Sequence, residues 1–184
     1  MHNGQNIYLI GMPGSGKTSL GRCLAAHLRL PFADLDQDIQ ARAGMSIPDI
    51  FAKRGESAFR DIESAALAAV AGRRGMVVAT GGGVVLRPEN RALLRDTGAV
   101  LWLDRPLSGI LRTLRQDTRP LLAGDPAERL HALYEQRAAL YEQTAHLRLV
   151  NTGRLPAAAR RAVALLQATP NPSQATHTES EHDT

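Results

Sequence analysis

Residues 6–18 read NIYLIGMPGSGKT, a short apolar run that leads directly into a glycine-rich turn. The apolar run, Asn6 to Ile10, is typical of a strand buried on both faces of a parallel sheet. The turn, Gly11 to Thr18, matches the pattern G-x-x-x-x-G-K-[ST] and precedes a run that suits a helix. Glycines let successive backbone N–H groups curl around a phosphate, and the start of the helix adds the positive end of its dipole. The stretch therefore predicts a strand, a phosphate-binding loop and a helix.

The same loop predicts which groups hold a nucleotide. Lys17 is long enough to reach the β- and γ-phosphates, and the hydroxyl of Thr18 can ligate Mg²⁺. The loop does not choose a reaction: a GTPase would add an Asn-Lys-x-Asp guanine reader and an Asp-x-x-Gly switch, which the sequence lacks, and a helicase or motor is normally larger or oligomeric. A small-molecule kinase remains. The residues predicted here to contact ATP are Gly14, Ser15, Gly16, Lys17, Thr18 and Ser19.

Strand and helix patterns alternate along the rest of the chain. Ser46, with an acid three residues later at Asp49, is typical of a helix start. Strands that alternate with helices predict an α/β domain in three layers, with a five-stranded parallel sheet covered on both faces. The predicted strands are 6–10, 31–35, 76–80, 99–103 and 147–150, and the predicted helices are 17–29, 56–74, 87–97, 106–115, 126–145 and 155–168.

The composition is that of an ordinary globular domain. Hydrophobic residues make up 43% of the 184 residues and charged residues 22%. The formal net charge is +4, but the arginines are spread along the chain and the few aromatic residues do not cluster with them. A nucleic-acid surface would combine both in one patch, so we expect solvated helix faces, a few anion-binding arginines and no nucleic-acid partner.

Three further expectations concern the ends and the middle of the chain. No apolar run approaches the length of a membrane-spanning helix and the amino terminus lacks a positively charged lead, so we expect a cytoplasmic protein with no membrane partner. Residues 169–184 are polar and aperiodic, which predicts a disordered tail after a domain of residues 1–168. Gln116 to Asp125 is irregular, and we expect a lid over the nucleotide at about residues 114–126.

Carboxylates and glycines follow the second and third predicted strands, at the edge where open parallel sheets bind ligands. Asp34 and Asp36 end the second strand, and strand alternation would point both carboxylates the same way. The triple glycine 81–83 ends the third strand. Two basic segments belong with them: Phe59-Arg60-Asp61-Ile62-Glu63 begins a helix, and Arg119-Pro120-Leu121-Leu122 precedes the helix that carries Arg137.

Together these segments resemble shikimate kinase, in the order typical of that family and over roughly residues 6–168. The resemblance implies a fold similar to the nucleoside-monophosphate kinases. It implies transfer of the γ-phosphoryl group of ATP to the 3-hydroxyl of shikimate, a step toward chorismate and the aromatic amino acids, and we expect a monomer. The matching segments are GMPGSGKT (11–18), DLD (34–36), IF (50–51), GESAFR (55–60) with Glu63, GGG (81–83), RPLL (119–122) and QRAALY (136–141).

The resemblance also implies roles for the acceptor residues. Arg60 and Arg137 would hold the carboxylate of shikimate, because guanidinium forks match carboxylates. Asp36 would accept hydrogen bonds from ring hydroxyls, including the attacking one, either as a base or as a group that orients it. Gly81, Gly82 and Gly83 would let the backbone approach the ring closely, with Gly82 as the N–H donor.

On the nucleotide side, the resemblance implies that Asp34 holds the water shell of Mg²⁺, which prefers oxygen ligands and retains waters. Arg119 would be a lid arginine over the phosphates, and Arg112 and Arg154 would flank the adenine. Two alternatives stay open. A gluconate or nucleotide kinase of the same fold would share the loop but would not need all the acceptor segments together. A non-enzymatic module would bind the nucleotide and turn over no acceptor.

Overall fold

The computed structural model describes residues 4–116 and 125–168. The predicted tail at 169–184, Arg119 and most of the expected lid lie outside these ranges. The strands are β1 Asn6–Ile10, β2 Phe32–Asp34, β3 Val77–Ala79, β4 Gly98–Asp104 and β5 Leu147–Val150. The α-helices are α1 Lys17–Leu28, α2 Leu35–Ala43, α3 Ile47–Ala71, α4 Pro88–Thr97, α5 Leu107–Gln116, α6 Pro126–Thr144 and α7 Leu155–Ala168, and a 3₁₀ turn spans Val84–Leu86.

The five strands form one parallel sheet in the order β2-β3-β1-β4-β5, which confirms the predicted architecture. The central strand, β1, is buried at every position because it is paired on both sides and covered on both faces. Each predicted strand boundary lies within one residue of the observed one. Local apolar pattern was enough to place the strands, since parallel strands are nearly continuous apolar runs.

Alternation along β1 divides the core into two layers. Tyr8 and Ile10 face one layer, which helices α3, α4 and α6 complete. Ile7 and Leu9 face the other layer, against helices α1 and α7. The sheet is therefore covered on both faces, and all its strands end at one edge. Within the described ranges, no helix is long and apolar enough to cross a membrane.

The predicted strand at 31–35 ends earlier than its apolar pattern suggested, and helix α2 was not predicted. Asp34 is the N-cap residue of α2, and its Oδ1 accepts hydrogen bonds from the N–H groups of Asp36 at 3.1 Å and Gln37 at 3.3 Å. An acidic cap of this kind starts a helix. The prediction that strand alternation aligns Asp34 with Asp36 is therefore wrong, because Asp36 lies in the first turn of α2.

Helix α3 joins the predicted start at Ser46 to the predicted long helix across a kink. The Ser46 side chain accepts a hydrogen bond from the N–H of Asp49 at 3.2 Å, which confirms the cap. Gly55 breaks the helix with φ 79° and ψ 172°. The kink sets the direction of the second half of α3, which carries Arg60 toward the edge where the strands end.

We expect Gly55→Ala to lower the free energy of unfolding by about 1–3 kcal/mol, because only glycine adopts this backbone conformation without strain. An added Cβ would meet nothing within 4 Å, so the loss would come from the backbone alone. Gly44, with φ 64° and ψ 20°, is the matched control, because asparagine tolerates that left-handed region. Denaturant unfolding should show a smaller loss for Gly44→Asn, and a Gly55→Ala protein as stable as the wild type would contradict the prediction.

Candidate active site

The loops that follow β1, β2 and β3 meet at the carboxyl edge of the sheet, together with residues from α3 and α6. In the loop after β1, Gly11 has φ 139°, and a Cβ there would lie 2.5 Å from the carbonyl oxygen of Leu103. The hydroxyl of Ser15 is buried and has no hydrogen-bond partner among the described residues. Gly16 caps α1 in the left-handed region, with φ 98°. The loop thus wraps closely around the start of the helix, and it offers a polar group without a protein partner.

Lys17 lies folded onto its own loop. Its side chain is buried, and Nζ donates hydrogen bonds to the carbonyl oxygens of Gly11 and Met12, each at 2.9 Å. Burial lowers the pKa of Lys17 to about 8, against the opposing charges of Asp36 and Asp34. Carbonyls are weaker partners for an ammonium group than an anion is, so a bound phosphate would strengthen its hydrogen bonds.

Asp34 connects the phosphate loop to the second strand. Its Oδ2 accepts a hydrogen bond from the hydroxyl of Thr18 at 2.7 Å, while its Oδ1 caps α2. The two predicted magnesium-side residues therefore lie in direct contact, and both offer the oxygen ligands that Mg²⁺ prefers. Ser19 is exposed in the first turn of α1, and Gly14 is exposed at the tip of the loop. All the loop residues predicted to contact ATP surround this start of α1.

The acceptor side of the site is built around Gly81. A Cβ at this position would lie 2.8 Å from Oδ1 of Asp36 and 2.7 Å from Oε1 of Glu63, so two carboxylates approach the backbone closely. Burial raises the pKa of Asp36, while the charge of Lys17 acts in the opposite direction. Asp36 therefore lies between the phosphate loop and the triple glycine.

Arg60 is held in place by charges and rings. Its guanidinium forms an ion pair with Glu63 at 2.6 Å and a second with Glu56 at 3.2 Å. It also lies over the ring of Phe59, with Cζ 5.1 Å from the ring centroid, which suits a cation–π contact. A Cβ at Gly83 would collide with this guanidinium. The glycine at 83 therefore leaves room for Arg60 at the edge of the site.

Arg137, on α6, exerts its charge on the same carboxylate. Its Nε is buried and has no hydrogen-bond partner among the described residues. Burial raises the pKa of Glu63, and the charges of Arg60 and Arg137 both oppose this increase. Oε1 of Glu63 is likewise buried without a described partner. The two predicted carboxylate-binding arginines thus both act electrostatically on one buried glutamate, and Nε of Arg137 and Oε1 of Glu63 have no described partner.

Gly82 packs against the phosphate loop. A Cβ at this position would lie 2.7 Å from Cδ of Pro13, so the triple glycine and the phosphate loop touch. On the other side, the carbonyl of Gly82 accepts a hydrogen bond from the hydroxyl of Tyr141 at 2.6 Å. The predicted donor residue therefore lies between the loop for the nucleotide and the helix that carries Arg137.

A cavity of about 180 Å³ opens beside the phosphate loop. Arg105 lines it and donates a hydrogen bond to the carbonyl oxygen of Gly14 at 3.2 Å. Arg112, predicted to flank the adenine, is among the lining residues, whereas Arg154 is exposed and is not. The cavity is lined by Arg105, Pro106, Ser108, Gly109, Arg112, Asn151, Thr152 and Gly153.

Sequence reasoning assigned no role to two buried residues of the site, Glu63 and Tyr141. Glu63 follows Arg60 by three residues and Tyr141 follows Arg137 by four, spacings that place each pair on one helix face. This periodicity could have identified both as neighbours of the arginines. It could not have shown that Glu63 is buried or that Tyr141 reaches Gly82, because those facts depend on distant elements.

Comparison with known proteins gives a consistent result. The family model for shikimate kinase matches residues 13–167. A shikimate kinase of Burkholderia thailandensis is 47% identical over 151 residues, covering 81% of this chain and 82% of the relative. A shikimate kinase of Synechococcus elongatus is 49% identical over 143 residues, covering 77% of this chain and 75% of the relative.

Solved structures give the same family. The shikimate kinase from Acinetobacter baumannii in complex with shikimate superimposes with a TM-score of 0.84 at 37% identity, covering 90% of this chain and 94% of that one. A gluconokinase from Sinorhizobium meliloti superimposes with a TM-score of 0.57 at 20% identity, covering 91% and 94%. At that identity the second likeness concerns the fold alone.

The two glutamates that contact Arg60 offer a matched pair for mutagenesis, because the side chain of Glu63 is 1% exposed and that of Glu56 is 63% exposed. We expect Glu63→Ala to lower the free energy of unfolding by about 3 kcal/mol, since it leaves the largely buried side chain of Arg60, 11% exposed, without its closest partner. Glu56→Ala should cost less than about 1 kcal/mol, as exposed ion pairs do. Urea unfolding of both variants measures the difference, and equal losses would refute the assigned role of Glu63.

Proposed function

The chain belongs to the shikimate kinase family, and from that premise we propose that this site transfers the γ-phosphoryl group of ATP to the 3-hydroxyl of shikimate. The observation that supports this best is the arrangement around the triple glycine: Arg60 lies against Gly83 and the phosphate loop lies against Gly82. The charges of Arg60 and Arg137 both act on Glu63. An acid with ring hydroxyls suits a site that combines guanidinium groups with carboxylates. The product, shikimate 3-phosphate, leads toward chorismate and the aromatic amino acids.

On the nucleotide side, Lys17 would move from its own loop carbonyls to the β- and γ-phosphates, where it neutralises charge on the transferred group. Thr18 would ligate Mg²⁺ directly and Asp34 would act through bound water; their contact of 2.7 Å supports a shared position at the ion. Bound Mg²⁺ would supply positive charge to the phosphate oxygens. The catalytic effect is mainly positioning and neutralisation, because the transition state is loose.

On the acceptor side, Asp36 would accept the hydrogen bond of the attacking hydroxyl. Its raised pKa suits a group that takes up a proton as the new P–O bond forms. Arg60 and Arg137 would hold the carboxylate of shikimate, and their fixed guanidinium planes would orient the ring. Glu63 would hold Arg60 in position.

Three finer assignments belong to the same proposal. Arg112 would lie beside the adenine in the 180 Å³ cavity, and Arg154 would approach it from the turn after β5.

The protein would act as a monomer, since the large apolar side chains exposed in the described ranges are limited to Val150 and Leu155. It would work in the cytoplasm, where its nucleotide is found. A gluconate or nucleotide acceptor is the alternative. A nucleotide has no carboxylate for the two arginines, whereas gluconate has one, so shikimate is preferred to gluconate on the family of the chain.

A coupled assay of ADP release tests the acceptor. We expect turnover with shikimate, and little with gluconate, a nucleoside monophosphate or the methyl ester of shikimic acid, which lacks the anionic carboxylate. Lys17→Ala should be nearly inactive while still folded, because the variant lacks the positive charge that neutralises the transferred phosphoryl group. Turnover of gluconate at the rate seen with shikimate would contradict the proposed acceptor.

Arg60→Ala should raise the dissociation constant of shikimate by about 10- to 100-fold, the effect expected for lost hydrogen bonds to a charged group. The dissociation constant of ATP should stay near that of the wild type. Arg54→Ala, which removes an exposed arginine from the first half of α3, is the control and should change neither. Calorimetry of both ligands decides, because equal weakening of ATP and shikimate would make Arg60 a structural residue only.

Arg119 lies outside the described residues, and its role rests on the RPLL segment of the sequence. We propose that it stabilises the charge on the γ-phosphoryl oxygens, as arginine fingers do by roughly 10³–10⁵ in rate. Arg119→Ala should lower kcat at least about a hundredfold by that comparison, with little change in the dissociation constant of shikimate. Quench-flow of a single turnover checks this, and a phosphoryl-transfer step at the wild-type rate would contradict it.

A further inference from the structure

Tyr141 is a fully buried residue on α6, one turn after Arg137. Its ring stacks on Trp102 of β4 with centroids 5.9 Å apart, and its hydroxyl donates to the carbonyl oxygen of Gly82 at 2.6 Å. The same hydroxyl lies 3.9 Å from the sulfur of Met12 in the phosphate loop. One side chain therefore contacts the strand, the triple glycine and the phosphate loop.

The hydrogen bonds of the triple glycine show what this contact does. The carbonyl of Gly81 accepts from the N–H of Val84 at 3.3 Å, and the carbonyl of Gly83 accepts from the N–H of Leu86 at 3.0 Å. The carbonyl of Gly82 is satisfied by the hydroxyl of Tyr141 instead. Within residues 4–116 and 125–168, no group accepts a hydrogen bond from the N–H of these three glycines. The loop thus has paired carbonyls and available donors.

A peptide bond is planar, and these peptides are trans, so the carbonyl of Gly82 and the N–H of Gly83 point in opposite directions. Because the hydroxyl of Tyr141 fixes the carbonyl of Gly82, it also fixes the direction of the N–H of Gly83. A hydrogen bond to a peptide carbonyl also polarises the peptide, which makes its N–H a stronger donor. Without the hydroxyl, nothing in the glycine backbone itself would hold this orientation, because glycine has no side chain to restrict its dihedral angles.

We propose that Tyr141 is a positioning residue for the acceptor: its hydroxyl holds the Gly82–Gly83 peptide in the orientation that presents the N–H of Gly83, next to the predicted donor Gly82, to shikimate and leaves room for the guanidinium of Arg60. This inference rests on the proposed function, since it concerns the binding of the same acceptor. Burial raises the pKa of Tyr141 to about 12, so the phenol stays a donor over the physiological range. The hydroxyl of Tyr141 also interacts with the side chain of Arg137, a second residue proposed for the acceptor, so we expect its removal to affect shikimate more than ATP.

The chain offers a matched control in Tyr8. This tyrosine is also fully buried, and its hydroxyl bonds to Asn6 at 3.1 Å and to Thr97 at 2.8 Å, near the opposite edge of the sheet. Tyr8→Phe and Tyr141→Phe each keep the ring and remove a bonded hydroxyl. The two variants should lose comparable stability, so their melting temperatures calibrate the structural part of the effect.

The test measures kcat and KM for shikimate and, by calorimetry, the dissociation constants of shikimate and ATP, well below both melting temperatures. Tyr141→Phe should weaken shikimate binding at least about fivefold, the lower end expected when a buried carbonyl loses its partner. The dissociation constant of ATP should stay within about twofold of the wild-type value. Tyr8→Phe should likewise leave the dissociation constants of both ligands within about twofold.

Each result decides something. Shikimate affinity of Tyr141→Phe within twofold of the wild type would overturn the inference, and so would equal weakening of shikimate and ATP, which would indicate a purely structural hydroxyl. The same loss of shikimate affinity in Tyr8→Phe would overturn it as well. If the wild-type protein turned over no shikimate at all, the proposed function would fail first and the inference would fail with it.

Discussion

The carboxylate of Asp34 joins the two halves of the site, because its two oxygens serve different elements. Oδ2 accepts from Thr18 at the start of α1, and Oδ1 accepts from the backbone N–H groups that start α2. The first contact fixes the carboxylate beside the phosphate loop. The second fixes the first turn of α2, and with it Asp36. The spacing between the nucleotide side and the acceptor side therefore follows from one aspartate at the end of β2.

The buried charges around this aspartate balance. Three cations, on Lys17, Arg60 and Arg137, lie within electrostatic reach of three carboxylates, on Asp34, Asp36 and Glu63. Burying a charge is costly unless it is paired, so the balance lowers the cost of assembling the site without its substrates. Among the described residues, four buried side-chain atoms have no partner: Oγ of Ser15, Nε of Arg137, Oε1 of Glu63 and, in the cavity beside the phosphate loop, Oδ1 of Asn151. Under the proposed function, these are the hydrogen bonds that bound ligands would complete.

The strands and the phosphate loop could be predicted from the sequence because both depend on near neighbours in the chain. Helix α2 could not be predicted in this way, because it begins at the capping carboxylate of Asp34, a residue that the apolar pattern assigned to a strand. Among the site residues, Arg60 and Arg137 both act electrostatically on Glu63, and their roles in binding the acceptor stay predictions. The partners that hold them were missed because their contacts span the chain: Tyr141 reaches Gly82 across 59 positions. Residue types predict chemistry, but only the packed fold shows which groups are already paired.

Pro13 and Gly82 leave no free space between the phosphate loop and the glycine loop. A larger residue at either position would push the two loops apart and lengthen the path between donor and acceptor, which phosphoryl transfer tolerates poorly. An enzyme engineer who wanted a different acceptor acid on this scaffold would therefore keep the contact between Pro13 and Gly82 unchanged. The changes would begin on α3 and α6, which carry the two arginines proposed to hold the carboxylate of the acceptor. A shorter or neutral side chain there would alter the choice of acid without moving the nucleotide.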